Sequence, residues 1–190
     1  MDLSSRLFLL LLACVAVERI MELRISSRHQ RALARQGIRK RIDPHYGWMV
    51  FLHGGVLAGA AAEVLIARRP FIPPLAMAMS LLFVLATLLR WWAIRTLGVH
   101  WNVEIMQSAS VGVVTTGPFR WIRHPNYLGV SVEIVALPLI HTAWITAILA
   151  AVINAWVLRN RIRLEEASLN AEPAYRIAMS GKARFIPGLF

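Results

Sequence analysis

One cysteine in 190 residues, Cys14, leaves no internal disulfide to hold this chain together. Lying inside the apolar run "LFLLLLACVAV", it reads as a small packing residue. Charge is scarce as well. Only 16% of residues are charged while 57% are hydrophobic, against about 25% charged in soluble domains. That balance excludes an ordinary soluble fold and fits residence in a bilayer. Acidic residues are scarcest, 10 against 21 Lys and Arg, for a net charge of +11. The basic side chains flank apolar runs and form no basic face interleaved with aromatics, so no nucleic-acid partner is expected. The six histidines show no H-E-x-x-H or comparable ligand spacing, and no metal is expected. No G-x-G-x-x-G follows a strand pattern, which excludes a soluble-type nucleotide-binding domain. Internal repeats and low-complexity segments are absent. The first apolar run leads into Glu18, Arg19, Glu22 and Arg24 and not into a small-residue cleavage site, so it reads as a retained helix.

What the chain does have is apolar blocks of spanning length, about 20 residues. The first runs from Leu7 to about Ile25, with an amphipathic second half; the second is Tyr46 to Ala67; the third is Phe71 to Trp92. A fourth, Leu128 to Leu158, has 31 residues. As one helix it would measure about 46 Å, well beyond a hydrocarbon core of about 30 Å. Pro138, with His141 and Thr142 beside it, divides it into a hairpin of Tyr127–Leu139 and a helix from Thr142 onward. The expected fold is all-α: an integral membrane helical bundle of about five transmembrane helices, the last two a hairpin. All but four of the 21 Lys and Arg fall in the first loop, the Arg90–Arg123 connection and the C-terminal tail. The positive-inside bias makes that side cytosolic, in the cell inner membrane, and puts the N-terminus outside. Gly55 and Gly59 form a small-xxx-small pair suited to close helix packing. Glu63 and Glu133 lie within apolar blocks, where carboxylates are costly and are functional candidates by default. Glu133 could line a channel or pack against an arginine. Asn154 reads as an interhelical hydrogen bond.

The stretch "TTGPFRWIRHPNYLG", Thr115 to Gly129, stands at the cytosolic mouth of the hairpin. Gly117-Pro118 signals a turn. His124, before a proline, should be non-helical, and Pro125 suits the first helical position. The N–H groups of Asn126, Tyr127 and Leu128 would then form an anion site with Arg120 and Arg123 nearby. An interfacial turn, with arginines on lipid phosphates and Trp121 and Tyr127 in the aromatic belt, explains the same residues. A second cluster, "RNRIRLEEASL", places Arg161 with Glu165 and Arg163 with Glu166 on shared helix faces, which solvated ion pairs alone would explain. The hairpin, however, brings this cluster back beside the Arg123–Tyr127 turn, so an anion-binding helix start and two carboxylates face one another at a membrane surface.

"GPFRWIRHPNYLG", a hairpin, and then "RIRLEEASL…Y…RFIPG" resemble the isoprenylcysteine carboxyl methyltransferase family and its bacterial and phospholipid-methyltransferase relatives. The resemblance is strong from Arg90 to Pro187, and the two motifs together are specific where either alone is weak. It implies a small membrane methyltransferase with S-adenosyl-L-methionine in a cytosolic pocket and a lipophilic or prenylated acceptor taken from the bilayer. It implies one domain over 1–190, with a three-helix part at 1–92 and a cofactor-binding part at 93–190. By the same resemblance Val111, Gly112, Val113 and Val114 line the adenosyl site and Phe119 is the aromatic after Gly-Pro. His124, Pro125, Asn126 and Tyr127 form the cofactor tetrad, Glu165 is the cofactor-contacting acid, and Arg161 contacts the acceptor as the catalytic arginine. Glu104 matches a further polar contact. The family's Phe-Gly pair after the acidic cluster is missing, and "NAEPAYRIAMSG" shortens that segment. The N-terminal half is similar to a bacterial branch associated with O-methylation of long-chain alkylpyrones and alkylresorcinols. The acceptor atom is expected to be an oxygen (carboxylate, enol or phenol). A phospholipid-type N-methyltransferase and a non-catalytic membrane scaffold or transporter subunit are the alternatives. A phenolic acceptor would need a base, for which His124 or a water could serve.

Overall fold

The computed structural model describes residues 1–40, 42–104, 106–107 and 113–186. Six helices account for most of them: α1 (Leu3–Arg35), α2 (Tyr46–Ile66), α3 (Pro73–Leu97), α4 (Pro125–Leu139), α5 (Trp144–Leu169) and a short α6 (Pro173–Met179). A two-residue antiparallel pairing of β1 (Arg39–Lys40) with β2 (Met106–Gln107) ties the α1–α2 loop to the long α3–α4 connection. The bundle is all-α in character, with the expected α4–α5 hairpin. Three helices are long and apolar enough to cross a membrane: α2, α3 with the turn that follows it, and α5. Together with the family set out below, they make this an integral membrane protein.

The first five helices run alternately. At one end Ser4 of α1 meets His141 of the hairpin at 3.2 Å, and Phe71, just before α3, packs on the same imidazole. At the other end His29 of α1 bonds the Trp101 carbonyl beyond α3, and Tyr127 of α4 meets Glu165 of α5. α1 is longer than expected, 33 residues, because Arg24 to Arg35 continue it past the apolar block. Asp2 caps its start, accepting from the Ser5 N–H at 3.0 Å, which satisfies one of the orphan donors of a first turn.

Packing follows the four-residue spacing of buried positions. Leu52, Val56, Ala60 and Val64 of α2 face the core, meeting Phe8, Leu12 and Val15 of α1 and Ile134, Ala136 and Leu137 of α4. Phe51, Leu65, Leu81, Leu85 and Leu88 stay exposed on the outer faces. In lipid that outward apolar surface costs nothing, so helix association leans on close contact and internal polar bonds. Gly59 supplies one such contact, its missing Cβ standing 2.9 Å from the Thr146 hydroxyl of α5, whereas Gly55 opens on free space. Gly129 supplies another that the sequence did not flag. A Cβ there would collide with the Arg90 side chain and reach the Ala86 carbonyl at 3.0 Å, so α3 and α4 approach only because the residue is glycine.

The intramembrane carboxylates are absorbed by the fold. Glu63 of α2 caps α5, accepting from the Thr146 N–H and hydroxyl and pairing with Arg69 at 3.0 Å. Thr142, left-handed at φ 53°, closes the hairpin by donating its hydroxyl to the Pro70 carbonyl at 2.6 Å. Glu133 of α4 packs against arginines, with Arg90 at 2.9 Å and Arg19 at 2.8 Å, and accepts from Thr87. Glu22 completes the cluster, bonding Arg90 at 2.7 Å and Arg19 at 2.9 Å. Two arginines thus meet Glu22 and Glu133, with Glu18 3.7 Å from Arg19, where α1, α3 and α4 join. Such a cluster forbids removal of one member more than it adds net stability: an uncompensated buried charge costs about 3–5 kcal/mol.

Candidate functional site

A cavity of about 1050 Å³ runs from the loop end of the bundle inward between α1, α2, α4 and α5. Val113, Val114, Phe119, His124, Pro125, Asn126, Tyr127, Arg161 and Glu165 all line it, as does Glu104. Every expected site residue among the described ones therefore borders a single space. Val111 and Gly112 lie outside the described residues.

Local sequence explains how the mouth is built. Gly117 adopts φ 56° and leaves no room for a Cβ against Thr96, so the Gly-Pro turn packs directly on α3. His124 is non-helical at φ −126° and ψ 58°, and α4 opens at Pro125 as the turn chemistry requires. The C-terminal tail fixes this start. Arg123 and His124 donate their backbone N–H groups to the Ala183 and Arg184 carbonyls, at 2.9 and 3.0 Å, and Lys182 reaches the Phe119 carbonyl at 2.8 Å.

The polar contacts differ from the expected ones in three ways. Glu166 does not pair with Arg163, which is exposed; it is buried, and gathers Arg123 at 3.1 Å, His124 Nε2 at 3.2 Å and Arg184 at 2.6 Å. The reason is rotational: α5 turns Glu166 toward the start of α4, where the tail adds a third basic group. Arg161 does not pair with Glu165. Its Nη1 bonds Asp43 Oδ2 at 2.6 Å and its Nη2 the Val103 carbonyl at 2.7 Å, so loops on both sides claim it. At the α4 start Arg123 pairs with Glu166, the Leu128 N–H donates to the His124 carbonyl, and Arg120 stacks over Trp121, so these groups are engaged within the fold.

Glu165 is bound instead by Tyr127, whose hydroxyl donates to it at 2.6 Å, and the Tyr127 ring stacks on His124 at 5.4 Å. Tyr175 of α6, the tyrosine of the second quoted motif, to which the sequence assigned no role, closes the same wall with Met179. Burial, and then the Glu165 carboxylate, push its phenol up to about 12, so it stays a neutral donor. Asp43 was also missed. The Asp-Pro pair before α2 is its only signal: one carboxylate oxygen accepts from the His45 N–H at 2.9 Å and leaves the other for Arg161. Deeper in, the wall is Ile20, Leu23, Val50, Gly54 and Leu57, with His53 and the Arg19–Glu22–Arg90 cluster at the inner end. Ile20, Leu23 and Val50 are also exposed on the outer surface, so this shaft is bounded by lipid-facing helices.

Among the buried polar atoms of the lining that make no hydrogen bond with the described residues are Arg90 Nε, Asn102 Oδ1, Arg123 Nε, Asn126 Oδ1 and Arg161 Nε. Each unmet buried polar group costs about 1–3 kcal/mol, a cost that a ligand or water would remove. Among the described residues no group of three His, Cys, Asp or Glu converges as a metal site.

A family model described as isoprenylcysteine carboxyl methyltransferase (ICMT) family matches residues 78–171, the span from α3 through the cavity mouth to the end of α5. The chain belongs to that family. Its relatives include the uncharacterized protein YpbQ of Bacillus subtilis (strain 168), 33% identical over 86% of this chain and 96% of that one. An uncharacterized protein of Haemophilus influenzae is 26% identical over 83% and 92% of the two chains. In fold it is similar to the eukaryotic intramembrane Ras methyltransferase ICMT, with a TM-score of 0.60 at 20% identity, over 78% of this chain. This chain spans 55% of that structure's length.

Proposed function

We propose that this protein transfers a methyl group from S-adenosylmethionine to an oxygen of a lipophilic acceptor, at a site facing the cytosol of the inner membrane. The observation that carries the reading is one large cavity whose mouth is polar and whose shaft is apolar and lipid-bounded. A water-soluble methyl donor and a membrane-resident acceptor need such a space, entered from opposite directions.

The residues present fit the donor. Val113, Val114, Phe119, Tyr175 and Met179 give an apolar wall for an adenosine, the unpartnered Asn126 Oδ1 offers an acceptor for a ligand N–H, and Glu165, oriented by Tyr127, supplies negative charge for a cation. His124 and Pro125 set the start of α4; with Nε2 committed to Glu166, His124 acts by holding the wall and not as a free base. The donor supplies an activated methyl on a sulfonium, so the protein's contribution is placement and the exclusion of water. Arg161 sits where mouth and shaft meet, with Nε left to aim at an acceptor oxygen. A guanidinium at that junction favours an oxygen acceptor over the cationic amine of a phospholipid-type N-methyl transfer.

Titration calorimetry with S-adenosylmethionine tests the reading. Glu165→Gln should weaken binding roughly ten- to a hundredfold, the worth of a charge-assisted bond. Unchanged affinity in that variant, or no binding by the wild type, would return the protein to the scaffold class.

A further inference from the structure

The inner end of the cavity holds an imidazole that the methyl-transfer reading does not use. His53 of α2 lines both the main cavity and a small one beside it, standing on the wall between them. Its Nδ1 lies 2.8 Å from the Met49 carbonyl, one turn back on the same helix. A carbonyl only accepts, so Nδ1 carries the proton and Nε2 presents a bare lone pair. No residue among the described ones meets that nitrogen. Of the donors nearby, Arg19 bonds Glu22 and Glu133, Arg90 Nη1 and Nη2 the same pair, and Thr87 Glu133, while Arg90 Nε makes no hydrogen bond to His53 or to any other described residue. Around it the lining is Met49, Val50, Gly54 and Leu57, which offer nothing to bond.

From this geometry we infer that His53 is a specificity-determining residue: its Nε2 accepts a hydrogen bond from a hydroxyl carried on the body of the acceptor, away from the atom that is methylated. The inference rests on the cavity being the acceptor site. Its position sets the spacing. α2 and α5 run antiparallel, with Trp48 against Trp156 and Gly59 against Thr146, so His53 stands about nine residues nearer the hairpin turn than Arg161. At 1.5 Å per residue that puts the inner end about 14 Å below Arg161. A plain hydrocarbon chain would leave the lone pair unmet in a dry wall. A mid-body hydroxyl would satisfy it, and sites built to receive a hydroxyl discriminate sharply against analogues lacking it.

Three probes read the spacing directly: stearate, its alpha-hydroxy derivative and its mid-chain hydroxy derivative, titrated into the purified protein in detergent without S-adenosylmethionine. The mid-chain hydroxy acid should bind about tenfold tighter than stearate, as one well-met hydrogen bond allows, while the alpha-hydroxy acid gains little. His53→Phe should erase the preference by weakening only the mid-chain derivative, and His53→Gln, which keeps an acceptor oxygen, should restore part of it. S-adenosylmethionine affinity, measured on the same samples, reports an intact fold and tests the functional reading separately. Equal binding of the three probes by the wild type, binding of none, or a preference that survives in His53→Phe would overturn the assignment.

Discussion

At the scale of single residues the site is governed by which charges are already spent. Arg161 reaches the cavity with two of its nitrogens engaged, by Asp43 and by the Val103 carbonyl, and Nε unclaimed. Replacing it with alanine removes the proposed acceptor contact and also strands the buried Asp43 carboxylate, at a cost of about 3–5 kcal/mol. Two effects are therefore expected from Arg161→Ala: a fall in stability and a fall in kcat/KM. The double variant Asp43→Ala/Arg161→Ala separates them. Thermal unfolding should recover most of the lost stability, because no charge is left alone, while methyl transfer stays low if Arg161 touches the acceptor. Recovery of both together would reduce Arg161 to a loop anchor. The sequence pointed to one place, since Phe119, the His-Pro-Asn-Tyr turn and Glu165 all border the cavity. The partners these residues take were not legible in it. Helical spacing says that Arg161 and Glu165 share a face, but it cannot see a loop aspartate 118 positions away closing on the arginine. Nor can it see the tail returning Arg184 to Glu166 at 2.6 Å.

At the scale of elements the decisive contact is α3 against α4. The hairpin of α4 and α5 was readable from Pro138 and the length of the apolar run, yet what seats it is Gly129, whose lack of a side chain admits Arg90 into the interface. Arg90 in turn holds Glu22 and Glu133. A single methyl at position 129 thus strains both the helix approach and the buried charge cluster. Gly129→Ala should lower stability by about 1–3 kcal/mol through overpacking, and by more if Arg90 is displaced from its carboxylates. Thermal unfolding in detergent checks this, with Gly55→Ala as the control: a Cβ at position 55 meets nothing within 4 Å, so that variant should be neutral or slightly stabilising. Equal effects at the two positions would mean that the α3–α4 contact is looser than drawn. Both glycines look alike in sequence, because a small residue in an apolar helix marks close approach only when a neighbour arrives, and the arrival is a long-range fact.

At the scale of the whole molecule the arrangement of charge has to agree with the direction in which the site opens. Five alternating helices put the start of α1 and the α2–α3 link on one face, and the α1–α2 loop, the cavity mouth and the tail on the other. The first face carries only Arg6, Arg68 and Arg69, while the second carries the long basic loop, Arg120, Arg123, Arg163, Arg176, Lys182 and Arg184. Positive charge is retained on the cytosolic side, so the mouth should open where a water-soluble methyl donor is supplied. The prediction concerns two introduced thiols, Ala67→Cys and Gly181→Cys, made in a Cys14→Ala background because the native thiol is itself exposed. Both positions are exposed and lie outside the helices. In intact cells a membrane-impermeant maleimide should label position 67 and spare position 181, which should react only after permeabilisation. Labelling of both from outside would mean an even number of crossings and would break the alternation. The reverse pattern would keep the fold but turn the mouth away from the cytosol, and a site so placed could not draw S-adenosylmethionine from the compartment in which the proposal requires it.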